Sequence, residues 1–162
     1  MKVSRTDAGL LIELDSEQET ERLGRGLADV CKPGCVIGLI GPLGAGKTRL
    51  VRAVAEHLGV DPAAIASPTF VLIHEYEGRI PVSHFDVYRL QSPQAFEDLG
   101  ADDYWSAGGI CLVEWADRVR ALLPADTWLI RIEPLEQTRR RVIIDFPTPA
   151  VDIADLLAAR LL

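Results

Sequence analysis

Gly41-Pro-Leu-Gly-Ala-Gly-Lys-Thr48 stands between an apolar run, Cys35 to Ile40, and an amphipathic pattern that begins at Lys47. Few folds can accommodate that order. The pattern G-x-x-x-x-G-K-[ST], entered from a strand and opening a helix, is a Walker A phosphate-binding loop, and each fixed position has a physical task. Gly41, Gly44 and Gly46 let the backbone reach positive φ and approach oxygen atoms without a Cβ in the way. The intervening Pro42, Leu43 and Ala45 supply backbone only. The loop N–H groups and the helix N-terminus then face an anion together. Lys47 reaches the β/γ-phosphates as a point charge, and Thr48 offers its hydroxyl to a hydrated Mg²⁺. The loop predicts binding of a nucleoside triphosphate.

The surrounding pattern supplies the α/β frame that such a loop needs. Leu10 to Leu14 reads as a short strand, and Ser16-Glu-Gln-Glu19 is a capping box before a helix whose face carries Leu23, Leu27 and Val30. Lys32-Pro-Gly34 stops that helix ahead of the strand at Cys35 to Ile40. Leu50, Val51, Val54, Ala55 and Leu58 recur at helical spacing until Gly59 and Pro62. Phe70 to Tyr76 and Ile80 to Val87 read as a hairpin around Glu77-Gly78-Arg79. The polar segment from Gln91 to Gly109 predicts one short helix around Pro93 to Leu99 and then a loop. Ile110 to Val113 is a buried strand, Trp128 to Ile132 and Arg141 to Phe146 are a late strand pair, and Val151 to Leu162 is a closing helix.

Length and charge narrow the functional classes. A chain of 162 residues fits one domain spanning 1–162, large enough to build a core without metals or disulfides. A net charge of −7 opposes long-range attraction to polyanions, so contact with nucleic acid should run through a partner. The N-terminus lacks the apolar core of a secretory signal and no apolar run reaches membrane-spanning length, which predicts a cytoplasmic protein without membrane association. Cys31, Cys35 and Cys111 read as small buried residues, and His57, His74 and His84 have no zinc-binding spacing.

A phosphate loop hydrolyses nothing without an acid near the metal and a means of positioning water. Glu114 follows Ile110-Cys-Leu-Val113, the pattern of a buried parallel strand that delivers an acid at its carboxyl end, where α/β sheets place ligands. Asp86 follows Ile80 to Phe85 in a weaker version of that arrangement. Either residue also reads as a solvated loop carboxylate. Ser67-Pro-Thr-Phe70 offers hydroxyls for Mg²⁺ or phosphate, or makes an ordinary turn. Trp115 either lies over the nucleotide or packs in the interior. Arg139-Arg140-Arg141 either meets an anionic partner or ends an exposed strand.

GPLGAGKT, SPTF, HFDVYRL, DLGADDYW and CLVEWADR, in this order and spacing across roughly residues 10 to 124, resemble the bacterial TsaE (YjeE) family, the ATPase of tRNA threonylcarbamoyladenosine biosynthesis. The resemblance implies a three-layer P-loop nucleoside triphosphate hydrolase-like α/β domain with a mixed sheet, using ATP and Mg²⁺. It implies action on the transferase complex of TsaD and TsaB, which modifies adenosine 37 of tRNAs reading codons that begin with A, so that tRNA is met indirectly. Carried over residue by residue, Gly41 to Thr48 hold the phosphates, with Thr48 and Glu114 at the metal. Ser67, Pro68 and Thr69 resemble a first switch, with Ser67 at the nucleotide and Thr69 catalytic. Asp86 resembles the acid of the HFD motif, and Glu114 with Trp115 a second switch. Asp86 and Glu114 compete for ordering the attacking water and holding the metal's water shell. Ser16 either caps its helix or helps enclose the base.

Three other classes fit parts of the pattern. A GTPase needs a guanine-specific Asn-Lys-x-Asp element, and the chain contains no asparagine. A small-molecule kinase of the P-loop class needs an acceptor pocket and a basic lid, for which Arg139 to Arg141 is the candidate. A nucleotide-dependent adaptor needs binding alone.

Overall fold

The computed structural model describes residues 1–66, 71–147 and 151–162, apart from the side chain of Val151. Its frame is an eight-stranded mixed sheet in the order β1-β2-β8-β7-β3-β6-β5-β4. These strands are β1 (Lys2–Arg5), β2 (Gly9–Leu14), β3 (Val36–Ile40), β4 (Ile73–Tyr76), β5 (Val82–Asp86), β6 (Ile110–Glu114), β7 (Trp128–Pro134) and β8 (Arg140–Asp145). The helices are α1 (Glu17–Val30), α2 (Lys47–His57), α3 (Pro93–Glu97), α4 (Ala101–Ser106) and α5 (Val151–Leu161).

The centre of the sheet is parallel: β3 lies between β7 and β6, and β5 continues beyond β6 in the same direction. Strands covered on both faces need apolar residues at successive positions, and the fully buried Ile110-Cys-Leu-Val113 supplies them. Alternation along these strands feeds two cores. Ile37, Leu39, Ile110 and Leu112 pack with Leu23 and Leu27 of α1 and with Leu50, Val51 and Val54 of α2. Val36, Cys111 and Val113 pack on the opposite face with Phe85, Phe96, Ala101 and Ala116. Antiparallel pairs make both flanks, β4 on β5 at one side and β1, β2, β8 and β7 at the other.

Local chemistry sets the ends of these elements. Ser16 accepts from the Glu19 amide at 3.3 Å, and the Glu19 carboxylate accepts from the Asp15 amide at 2.7 Å, so the predicted capping box forms with its return bond one residue upstream. Ser16 is thus the cap of α1. The hairpin strands are shorter than the sequence pattern suggests, because Val71 and Leu72 form a turn, with Leu72 at φ 67°, instead of extending β4. Among the described residues four elements lie outside the sequence pattern, two of them the short 3-10 helices Ala116–Arg118 and Arg120–Leu122. β1 pairs with β2 at the sheet edge, and the expected loop after the first short helix contains α4, opened by Gly100 at φ 71°. Among the described residues no helix is long and apolar enough to cross a membrane. All three cysteines are free. A hydrogen bond with Cys35, and then burial, raises the Cys31 thiol, while burial pushes Cys111 up to about 12, so both are held as unreactive thiols.

The position of α2 depends on a close approach to α1. A Cβ on Gly24 would meet the Ala53 Cβ at 2.5 Å, so α1 has no room for a side chain there. Gly24→Val should therefore push the two helices apart and destabilise the fold by about 1–3 kcal/mol. Urea unfolding checks this, and a midpoint equal to that of the parent would contradict the packing.

Candidate functional site

The carboxyl ends of β3, β5 and β6 lie side by side, and the register sets what meets there. Leu39 pairs with Glu114, and Asp86 pairs with the same Glu114 from the other side. Residues at matching positions of neighbouring parallel strands share a face, so both carboxylates emerge on the α2 side, next to the loop that leaves β3. The cleft they border has a volume of about 560 Å³ and is lined by the phosphate loop from Leu43 to Thr48, by Asp86 and Glu114, and by Trp115.

The loop's shape follows from its glycines and two cations. Gly46 occupies the left-handed region at φ 107° as the residue before α2, and Gly44 lies at φ 76°. A side chain on Gly41 would place its Cβ 2.5 Å from the Ile132 carbonyl oxygen. The Lys47 ammonium donates to the carbonyls of Gly41 at 2.7 Å and Pro42 at 2.9 Å. Arg140 Nε donates to the Ala45 carbonyl at 3.0 Å. With these acceptors engaged and the first amides of α2 lacking intrahelical partners, the loop presents donors to the cleft. Lys47 has three N–H donors, of which two hold the loop and one remains for a ligand.

Behind the loop lies a buried polar chain. Thr48 Oγ1 donates to Glu114 Oε2 at 3.0 Å, and His84 Nε2 donates to Glu114 Oε1 at 2.8 Å. Glu114 is 2% exposed and His84 fully buried. Asp86, also buried, accepts from the Tyr88 amide at 3.0 Å, a bond that turns the chain at the end of β5. The threonine's proton is thereby committed to the carboxylate, and its lone pairs stay available.

Trp115 follows Glu114 at φ 62°, a left-handed conformation that costs a bulky residue about 1–2 kcal/mol. Its ring lies under the Lys47 ammonium, 3.8 Å from Nζ to the centroid, and packs on Tyr88 with centroids 4.7 Å apart. Arg118 donates to the Tyr88 carbonyl and lies over the Tyr88 ring at 5.1 Å. The ring thus packs on Tyr88 and also forms a wall of the cleft.

The predicted residues Gly41 to Thr48, Asp86, Glu114 and Trp115 thus converge, while Ser67 and Thr69 lie outside the described residues. Two participants had no assigned role in the sequence. His84 has no metal-binding spacing, but it stands two positions before Asp86 on a strand and so shares its face. Arg140 appeared only within a basic triplet, whose members separate in the structure. Arg139 pairs with Asp15 and Glu136, Arg141 faces Glu133, and Arg140 turns onto the phosphate loop.

Known proteins resemble this chain in sequence and in fold. A family model described as "Threonylcarbamoyl adenosine biosynthesis protein TsaE" matches residues 14–142. The tRNA threonylcarbamoyladenosine biosynthesis protein TsaE of Bacillus subtilis is 40% identical over 126 residues, covering 77% of this chain and 78% of its own length. The protein of the same name from Treponema pallidum is 39% identical over 129 residues, covering 80% of this chain and 95% of its own length. The crystal structure of Bacillus subtilis YdiB superposes with a TM-score of 0.77 at 31% identity, covering 98% of this chain and 97% of that one.

Burial lowers the Lys47 pKa from the ordinary 10.5, and attraction to Glu114, Asp86 and Asp117 opposes the shift without cancelling it. The buried ammonium therefore costs stability in full below its lowered pKa, and the cost disappears as pH rises to the unfolded value of 10.5. Lys47→Met does not titrate, so the difference in melting temperature between parent and variant should move in the parent's favour as pH rises toward 10.5. Thermal melts of both across that range check it, and a difference independent of pH would contradict the assignment.

Proposed function

Because the chain belongs to the TsaE family of threonylcarbamoyl adenosine biosynthesis proteins, we propose that it is a magnesium-dependent ATPase serving that tRNA modification in the cytoplasm. It acts on the TsaD–TsaB transferase complex and does not itself transfer the threonylcarbamoyl group. The proposed architecture is one three-layer P-loop hydrolase-like domain over residues 1–162. The observation that carries this reading is the convergence of Lys47, Thr48, Asp86 and Glu114 on one cleft above the phosphate loop.

Each residue has a task in triphosphate hydrolysis. The loop amides and the N-terminus of α2 receive the phosphate oxygens, while Lys47 adds a charge whose two other N–H groups keep the loop in shape. The donor set fits a hydrated Mg²⁺: Thr48 keeps its lone pairs toward the cleft because its proton goes to Glu114, and Glu114 stands ready for the ion's water shell. Among the described residues no group of three or more His, Cys, Asp or Glu forms a cage, consistent with an ion held by one hydroxyl, water and the nucleotide. When bound, the ion shields charge on the phosphate oxygens. Asp86 and Glu114 both line the cleft, and between them they order the attacking water and hold the metal's water shell. Ser67 and Thr69 complete the proposed nucleotide and catalytic set, and Trp115 covers the Lys47 side of the nucleotide.

The acidic chain reaches tRNA through its partners, since a net charge of −7 gives little attraction to a polyanion. No arginine lies within the phosphate loop, so the same partners add charge at the transferring phosphoryl group, with Arg89, which lines the cleft, and Arg118 as the internal alternatives.

Lys47→Ala removes a charge-assisted contact worth about 1.5–3 kcal/mol, so ATP affinity should fall about ten- to over a hundredfold. Calorimetry showing unchanged affinity would contradict the loop assignment. Asp86→Asn and Glu114→Gln should lower turnover more than binding, because charge near the water and metal matters most in the transition state. Full turnover in either amide variant would return that residue to a structural role. Steady-state phosphate release should rise severalfold or more when the TsaD–TsaB complex is added. Equal turnover with and without the complex would overturn partner activation.

A further inference from the structure

Val82, His84 and Asp86 of β5 share the face that packs toward α2, and His84 is in register with Leu112 of β6 on one side and His74 of β4 on the other. On the Leu112 side an apolar side chain at position 84 would suit the neighbourhood. The imidazole instead has no exposed surface, and among the described residues its Nδ1 has no hydrogen-bond partner. Burying such a group is unfavourable, so packing does not explain it. Its ring hydrogen bond to the described residues runs from Nε2 to Glu114 Oε1 at 2.8 Å.

Glu114 ends its strand at the floor of the cleft, and its side chain has three torsions to hold. His84 takes one carboxylate oxygen and Thr48 the other. Without His84, Oε1 would be left in a buried position without a donor, and the carboxylate would gain by swinging toward solvent in the cleft. That motion withdraws Oε2 from Thr48. The threonine's proton then loses its acceptor, and the direction of its lone pairs is no longer set. An interaction two bonds away from the ligand would be lost although every residue that touches the ligand is still present.

We propose that His84 is a positioning residue of the Mg-ATP site, holding the Glu114 carboxylate so that Thr48 presents its lone pairs to the metal. The inference rests on the nucleotide reading above and adds a residue to it. It concerns the metal-dependent part of binding, because the loop amides and Lys47 hold phosphate without His84.

The test compares the unaltered protein with His84→Leu, His84→Gln and His84→Asn, measuring ATP affinity by calorimetry with Mg²⁺ and with EDTA. Partners that orient a metal-site residue typically account for about 10–100-fold in metal affinity. His84→Leu should therefore reduce the Mg²⁺-induced gain in ATP affinity about tenfold or more. Its affinity in EDTA should stay at the parent's value. Gln can place an amide N–H near the position of Nε2 and should restore most of the gain, whereas the shorter Asn should not. A His84→Leu protein that melts like the parent and keeps the full Mg²⁺ gain would overturn the proposal. Should the leucine variant fail to fold, Gln and Asn variants with equal gains would overturn it as well. An unaltered protein whose ATP affinity is the same in Mg²⁺ and EDTA would overturn the nucleotide reading itself, and this inference with it.

Discussion

A carboxylate buried at the end of a central strand must be given hydrogen bonds, and meeting that requirement at Glu114 organises the site. Taking such a group out of water costs several kcal/mol unless donors satisfy it. Thr48 satisfies one oxygen from the first turn of α2, and His84 the other from the neighbouring strand. Three separate elements are thereby tied at one point. The tie exists because β6 lies between β3 and β5 in parallel, with Glu114 in register with both Leu39 and Asp86.

The phosphate loop is held from two directions. Lys47 closes it from within by bonding the carbonyls of its first two residues, and Arg140 reaches it from β8 to bond the Ala45 carbonyl. Both cations occupy acceptors, so the donors of the loop and of α2 dominate the cleft. Trp115 adds a contrasting term. Its left-handed backbone is unfavourable, yet the contacts of its ring with Lys47 and Tyr88 hold it in place. Backbone strain beside the site residues, together with a buried ammonium, places stability costs where a charged ligand would be received.

Much of this arrangement is legible in the sequence, because its signals are local. The loop and its flanking strand and helix are contiguous, the capping box spans four residues, and Glu114 and Asp86 are marked by the apolar runs before them. β1 is not legible: it buries little and takes its form from pairing with β2. α4 carries Asp102 and Asp103 in its first turn, in a polar stretch that lacks helical periodicity, and it is held by Tyr104 and Trp105 packing on Phe85. The roles of His84 and Arg140 depend on distant partners. Glu114 is 30 residues from His84, and Ala45 is 95 from Arg140, so only the sheet order brings them together. The basic triplet shows the same limit, since adjacent arginines acquire different partners once strand alternation separates them.

The central claim is that the donors of the phosphate loop and the first turn of α2 receive the phosphates of Mg-ATP. A ¹H–¹⁵N NMR titration of the unaltered protein with a non-hydrolysable Mg-ATP analogue tests it most directly, because each loop amide reports separately. The account predicts that the largest shifts fall on Gly44, Gly46, Lys47 and Thr48, with the Trp115 indole moving in step. Saturable shifts that leave those four amides in place and map to another face of the sheet would contradict it.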